Sequence, residues 1–257
     1  MKTIQDTWFM VVRQSRNLMR EPIWIALLLI QPMVWLVLYG QLFKNVTRLG
    51  GFGTTSYITF LAPAIVVMNS FFGATWSGMS MVADLDRKFV ERFLATPASR
   101  LSLVLSQIVR SALTAAIQAV VILVVALALG VRVHSGLAGW LVVILVAMLV
   151  NSAFAGISQG LALLTRREAT MITLANFIGL PLLFLSSTLL AESQMPHWMR
   201  VAADFNPVNW GVKAARGVVL PGTDWGSVGV HLGYLVIFSA VTAAFGTWSF
   251  RSYQRSL

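Results

Sequence analysis

The chain has 257 residues, of which 57% are hydrophobic and 11% charged; an average soluble domain carries roughly a quarter charged residues, so this composition suits lipid as solvent. A formal charge of +10 does not fit a basic nucleic-acid-binding face, which needs a soluble domain to carry it. The lack of cysteine excludes disulfides and thiolate metal sites and says little about compartment.

Wound as a helix, residues 1–20 gather Ile4, Trp8, Val11, Val12, Leu18 and Met19 on one side and Lys2, Arg13, Arg16 and Arg20 on the other. This spacing predicts an interfacial amphipathic helix anchored by Trp8, broken at Glu21-Pro22 where the chain turns into the bilayer. The apolar run that follows lacks a small-residue cleavage pattern and reads as a retained span, not a signal peptide.

Crossing about 30 Å of hydrocarbon takes about 20 residues. Six runs are long enough: Ile23 to Phe43, Tyr57 to Val82, Ser102 to Gly130, Leu137 to Thr165, Ala169 to Leu190 and Val228 to Phe250. They predict an all-α, six-span membrane protein with a single domain over residues 1–257. An even number of spans puts both termini on one side. With that side inside, the inner segments hold Lys2, Arg13, Arg16, Arg20, Arg87, Lys88, Arg92, Arg100, Arg166, Arg167, Arg251 and Arg255. The outer segments hold only Lys44, Arg48, Arg132, Arg200, Lys213 and Arg216, so the positive-inside rule favours cytoplasmic termini.

Between the second and third spans, Leu85, Phe89, Val90, Phe93 and Leu94 share one half of a helical projection. Asp84, Arg87, Lys88, Glu91 and Arg92 share the other, with Asp86 alone intruding on the apolar half. Thr96-Pro97 ends this short cytoplasmic helix. It fits either a helix resting on the membrane surface or one presenting Phe and Leu knobs to a soluble partner. Between the last two spans, residues 191–226 predict two amphipathic helices at the outer surface. The second is capped by Asn206, has Pro207 in its first turn and stops near Gly217.

Catalytic and metal chemistry find little support. Gly-Ile-Ser-Gln-Gly at 156–160 matches the G-x-S-x-G nucleophile elbow, but it lies inside an apolar run, with Ser158 near the inner face and His231 near the outer one. It reads instead as small residues that let helices approach closely. His134, His197 and His231 lack partners at ligand spacing, so no metal site is expected. The spans contain no Asp or Glu, whereas gradient-driven carriers usually need ionisable groups at depth. Arg110 is the one charged residue in them; it either snorkels to the inner headgroups or lines and gates a pathway. Gln31, Asn69, Gln118, Asn151, Gln159 and Asn176 are uncharged polar groups that must face another helix or a cavity. Of these, Gln31, Asn69 and Asn176, with Arg110, are the pathway candidates. No Gly-Lys pair occurs, so the chain has no P-loop, and any ATP would be bound by another subunit.

The stretch "DLDRKFVERFLATPASRLSLVLSQI", residues 84–108, resembles the inner loop of type-2 permeases of ATP-binding-cassette (ABC) exporters. "LPLLFLSSTLLAESQMPHWMRVAADFNPVNWGVKAARG", residues 180–217, resembles their LP-x-x-FLSG to NP to R pattern, and "FLAPAIVVMN", residues 60–69, their second span. The order and spacing of these stretches cover essentially the whole chain and are closest to the daunorubicin-resistance type of drug-export permease. Ser187 stands where the family usually has Gly. The resemblance implies a permease subunit without cofactor of its own. Two copies, or one with a related chain, would pair with two cytoplasmic ATPase subunits that bind ATP and Mg. The helix from Leu85 to Leu94 would be the coupling helix, with Leu85, Arg87, Phe89, Glu91, Arg92, Phe93, Leu94, Thr96 and Pro97 contacting the ATPase. The first, second and fifth spans would line the path, and re-entrant helices between residues 191 and 220 would gate it outside. The cargo would be a hydrophobic or amphipathic drug, antibiotic, lipid or glycolipid leaving across a bacterial cytoplasmic membrane. The competing class is a stand-alone carrier or channel.

Overall fold

A computed structural model of the chain describes residues 29–86 and 100–254, and every element among them is helical. The interfacial-helix residues Trp8, Arg13, Arg16 and Arg20, and the coupling-helix residues Arg87, Phe89, Glu91, Arg92, Phe93, Leu94, Thr96 and Pro97, lie outside the described residues. Eight helices carry the described fold: α1 (Leu29–Leu42), α2 (Tyr57–Asp86), α3 (Arg100–Ala128), α4 (Gly136–Thr165), α5 (Glu168–Phe184), α6 (His197–Asp204), α7 (Pro207–Val219) and α8 (Trp225–Gln254). Four of them, α2, α3, α4 and α8, are long and apolar enough to cross a membrane. At 1.5 Å per residue α5 is about 25 Å long and the described part of α1 about 21 Å.

The long helices form a bundle centred on α4, which packs against α2, α3, α7 and α8, while α1 and α5 lean on α2. Residues Leu61 to Val67 of α2, Pro63 aside, are apolar and fully buried, because neighbours surround this stretch on every side. The outer face of α8 is different: Val230, Val236, Ile237, Val241 and Trp248 are exposed, as expected of a helix facing hydrocarbon. We call the end of the bundle carrying α6 and α7 the cap end. There the start of α4 is tied to the end of α7, with the amides of His134 and Ser135 donating to the carbonyls of Val219 and Val218.

The 156–160 stretch is a packing seam. A Cβ on Gly156 would lie 2.8 Å from the Thr242 backbone of α8. Ser158 donates to the Thr75 carbonyl at 2.6 Å and accepts from the Gly78 amide at 3.1 Å, which uses its hydroxyl in both directions as an α2–α4 tie. Ser158→Ala is therefore expected to lower stability by about 1 kcal/mol, read as a modest drop in thermal midpoint in detergent; loss of an activity without loss of stability would instead support a nucleophile.

Two boundaries differ from the sequence expectation. The fifth apolar run was expected to stay helical to Leu190, but α5 ends at Phe184. Pro181 has no N–H for the last turn, and the Ser-Ser-Thr that follows is bound by side chains from elsewhere. The second cap helix has its Asn206 cap, accepting from the Val208 amide, and Pro207 at its start, but continues past Gly217 to Val219. Helical glycine is tolerated when the turn around it is packed, and Ala214, Ala215, Val218 and Val219 are all buried.

Candidate functional site

The turn after α5, residues 185–191, leaves carbonyls without helical partners in an apolar setting, and three side chains supply the missing donors. Asn206 Nδ2 donates to Leu182 O at 2.6 Å and Leu185 O at 2.9 Å. Tyr57 Oη donates to Leu189 O at 2.9 Å. Arg216 does most: Nη1 donates to the Ser187 carbonyl and to Ser187 Oγ, Nη2 to Thr188 O at 2.7 Å, and Nε to Phe60 O at 3.0 Å. Its guanidinium carbon also lies 3.4 Å from the centroid of the Phe60 ring. Among the described residues no carboxylate pairs with it; carbonyl dipoles and a ring face carry the charge. Burial pushes the Arg216 pKa down to about 9, against the pull of Tyr57 and Glu192, so the group stays cationic at neutral pH.

Asn209 completes the clamp. Its Oδ1 accepts from both the amide and the hydroxyl of Ser187, at 2.9 and 2.6 Å, and its Nδ2 donates to Ala203 O at 3.1 Å and Glu192 Oε1 at 3.3 Å. Ser187 is thus an integral part of the turn: its hydroxyl supplies contacts that a glycine at this position could not. At the rim, Lys213 bridges Glu192 at 3.0 Å and Asp204 at 2.8 Å. Partial burial lowers its pKa, but hydrogen bonds to the two carboxylates raise it more, and the net shift is upward.

Two cavities border this clamp. One, of about 470 Å³, is lined by Glu192, Lys213, Arg216, Ser227 and His231 together with Phe52 and Phe60. The other, of about 410 Å³, lies between α1, α2 and the end of α5 and is nearly all apolar, with Tyr39, Phe43, Tyr57, Phe184, Met195 and Met199 on its walls.

A third cavity, of about 290 Å³, lies among α1, α2, α3 and α4, in the middle of the bundle and the half away from the cap. Gln31, Asn69 and Arg110 all line it, with Trp76, Gln107, Gln118, Asn151 and Gln159. Asn69 Nδ2 donates to Gln118 Oε1 at 3.0 Å across α2 and α3, and Asn151 Nδ2 to Ser70 O at 3.0 Å across α4 and α2. Asn176 does not join them: it is exposed on α5 and donates to Ile172 O of its own helix. Leu85, the described member of the coupling-helix set, is half-buried at the end of α2 away from the cap.

Arg216 was missed as a site residue because a basic residue in an outer loop reads as a solvated or orienting charge. The signal that could have found it is its phase: Val208, Val212 and Val219 put one buried stripe on α7, and Arg216 falls on it.

Residues 5–220 match the family described as ABC-2 type transporter. A protein of Porphyra purpurea carrying the transport-permease name ycf38 is 31% identical over 86% of this chain and 76% of its own. Its namesake in Cyanophora paradoxa is 28% identical over 83% of this chain and 73% of its own. The daunorubicin resistance ABC transporter permease protein DrrB1 of Streptomyces coeruleorubidus is 21% identical over 91% and 80%. A family match across most of the chain, on a bundle of long apolar helices, makes this multi-pass membrane protein a member of the ABC-2 type transporter family.

Proposed function

We propose that the chain is the permease subunit of an ATP-driven exporter that moves a hydrophobic or amphipathic molecule outward across a bacterial cytoplasmic membrane. The family match over residues 5–220 carries this reading. The shorter apolar helices α1 and α5 supply the first and fifth spans, giving six, with both termini cytoplasmic and the cap outside, in line with the bias of basic residues. Two permease copies work with two ATPase subunits, which bind ATP and Mg. The named drug-resistance relative favours an amphipathic drug as cargo, and the apolar cavity beneath the cap suits its greasy part.

The segment from Leu85 to Leu94, between α2 and α3, then serves at the cytoplasmic end as the coupling helix. Nucleotide-driven closure of the ATPases reaches the spans only through such a contact, because the chain has no P-loop. The first, second and fifth spans line the path, and α6 and α7 gate its outer end. Phe93→Ala and Glu91→Arg, expressed with the cognate ATPase, should each cut ATP-dependent transport by about tenfold or more, as loss of a packed anchor or a charge reversal at a contact does, while the thermal midpoint of the permease is retained. Normal transport by both variants overturns the coupling assignment. Transport by the chain alone, driven by an ion gradient, would make it a stand-alone carrier.

A further inference from the structure

The 470 Å³ pocket at the cap end takes no part in the reading above. Its lining joins Gly51, Phe52 and Gly53, from the loop between α1 and α2, to Glu192, Lys213 and Arg216. Gly51 and Gly53 have φ of 82° and 68°, a left-handed backbone that glycine adopts without strain. Packing fixes this loop beside both cations. Phe52 meets Phe60 edge-on with ring centroids 4.9 Å apart, and the Arg216 guanidinium carbon is 3.4 Å from the centroid of that same Phe60 ring. A Cβ on Gly51 would run into Ser193 Oγ, which sets the loop next to Glu192, itself 3.0 Å from Lys213.

The residues around this pocket hold donors with nothing to donate to. The amides of Gly51, Phe52 and Gly53 have no acceptor among the described residues, and Gly51 and Gly53 are exposed. Successive amides in such a turn form a concavity that suits an anion. Arg216 carries five N–H groups; its bonds to Phe60 O, Ser187 O, Ser187 Oγ and Thr188 O leave one over. Lys213 carries three and gives one each to Glu192 and Asp204, which also leaves one.

Free acceptors are fewer. Glu192 Oε1 is taken by Lys213 and Asn209, so only its Oε2 remains. His231, also on the wall, turns Nδ1 to the Ser227 carbonyl at 2.7 Å and keeps Nε2 free. The Ser227 hydroxyl can act either way. An occupant that satisfies the pocket must therefore bring oxygens, and bring them to two sides at once, the loop and α7. A tetrahedral oxyanion does this better than a planar carboxylate. Phe52, Phe60 and Leu220 add apolar wall for carbon attached to it.

We infer that this pocket binds a phosphate group arriving from the cap side, held between the amides of residues 51–53 and the unspent N–H groups of Lys213 and Arg216. A lipid headgroup and a water-soluble phosphate offer the same oxygens, and the test separates them. Binding needs neither nucleotide nor ATPase, so the inference goes beyond the exporter reading and does not depend on it.

The full chain, purified in a non-ionic detergent, is titrated by calorimetry at fixed ionic strength with inorganic phosphate, dihexanoyl phosphatidic acid and acetate. At least one of the two phosphate compounds should bind saturably and about tenfold or more tighter than acetate. Lys213→Gln removes the charge but still reaches Glu192 and Asp204, and should weaken phosphate binding about tenfold. Ser227→Glu places a carboxylate on the pocket wall in the first turn of α8, where an acid favours the helix. It should keep the parent's thermal midpoint and lose binding by more than Lys213→Gln does, which keeps the test open should Lys213→Gln fail to fold. Tighter binding of phosphatidic acid than of inorganic phosphate upholds the site and assigns it a lipid; equal or weaker binding upholds it and assigns a water-soluble phosphate. Three results overturn the assignment: no saturable binding of either compound, acetate bound as tightly as phosphate, or unaltered binding by folded Ser227→Glu. ATP-dependent transport, measured separately, decides the exporter reading.

Discussion

Arg216→Met should destabilise the protein by about 2–4 kcal/mol and loosen the cap end before the rest of the bundle. The methionine fills much of the space, so cavity formation is minor. What is lost is the set of donors: Ser187 O and Thr188 O sit in a non-helical turn and have no second chance of a partner away from water. The stacking on Phe60 goes as well. The loss is held below the sum of the broken bonds because the desolvation of a buried cation disappears with it. Arg216→Lys should fall between, since an ammonium can reach one or two of these carbonyls but cannot span both the turn and Phe60 O with a fixed fork. Thermal denaturation in detergent measures the totals, and hydrogen exchange tests the location: protection should fall first at residues 185–191. If Arg216→Met is as stable as the parent protein, the turn is held by Asn206 and Asn209 without the arginine.

That clamp shows where the sequence could be read and where it could not. The four long helices follow from unbroken apolar runs whose length alone decides them, and their observed bounds fall close to the expected ones. The second cap helix was legible from Asn206 and Pro207, because capping is local chemistry. Asn69 and Gln118 could be set against other helices, since an amide in hydrocarbon must find a partner. The choice of partner was not legible: it depends on which helices become neighbours. The early end of α5 and the role of Arg216 belong together for the same reason. Only when α7 lies against α2 and the 185–191 turn do a buried arginine and a row of free carbonyls explain one another, and neither stretch shows the other in its own periodicity. Asn176 makes the converse point, because a polar residue on a helix can satisfy itself on the preceding turn and stay clear of any cavity.

Gly156→Val should be among the more damaging single changes in the membrane-spanning part. The glycine lies in a tight contact between α4 and α8: its Cβ would stand 2.8 Å from both the carbonyl carbon and oxygen of Thr242 and 3.0 Å from the Ala243 amide nitrogen. These are backbone atoms in the middle of a helix, so no rotamer change relieves the clash, and the helices must separate along the seam. The carbonyl of Gly156 is itself 3.0 Å from the site of a Cβ on Gly246, which makes the contact reciprocal. In lipid, close approach of small residues is a main source of helix association, so moving the two helices apart forfeits dispersion contacts along the whole seam. Overpacking typically costs about 1–3 kcal/mol and occasionally more; with two further γ carbons added against fixed backbone, the upper end or beyond is expected. Gly156→Ala should show part of the effect. Gly229→Ala on α8, where nothing lies within 4 Å of the added carbon, should be neutral or slightly stabilising through helix propensity. Yield of monodisperse protein and its thermal midpoint rank the three, and the expected order is Gly229→Ala above Gly156→Ala above Gly156→Val. Equal stability of Gly156→Val and Gly229→Ala would mean that α4 and α8 do not meet along this seam.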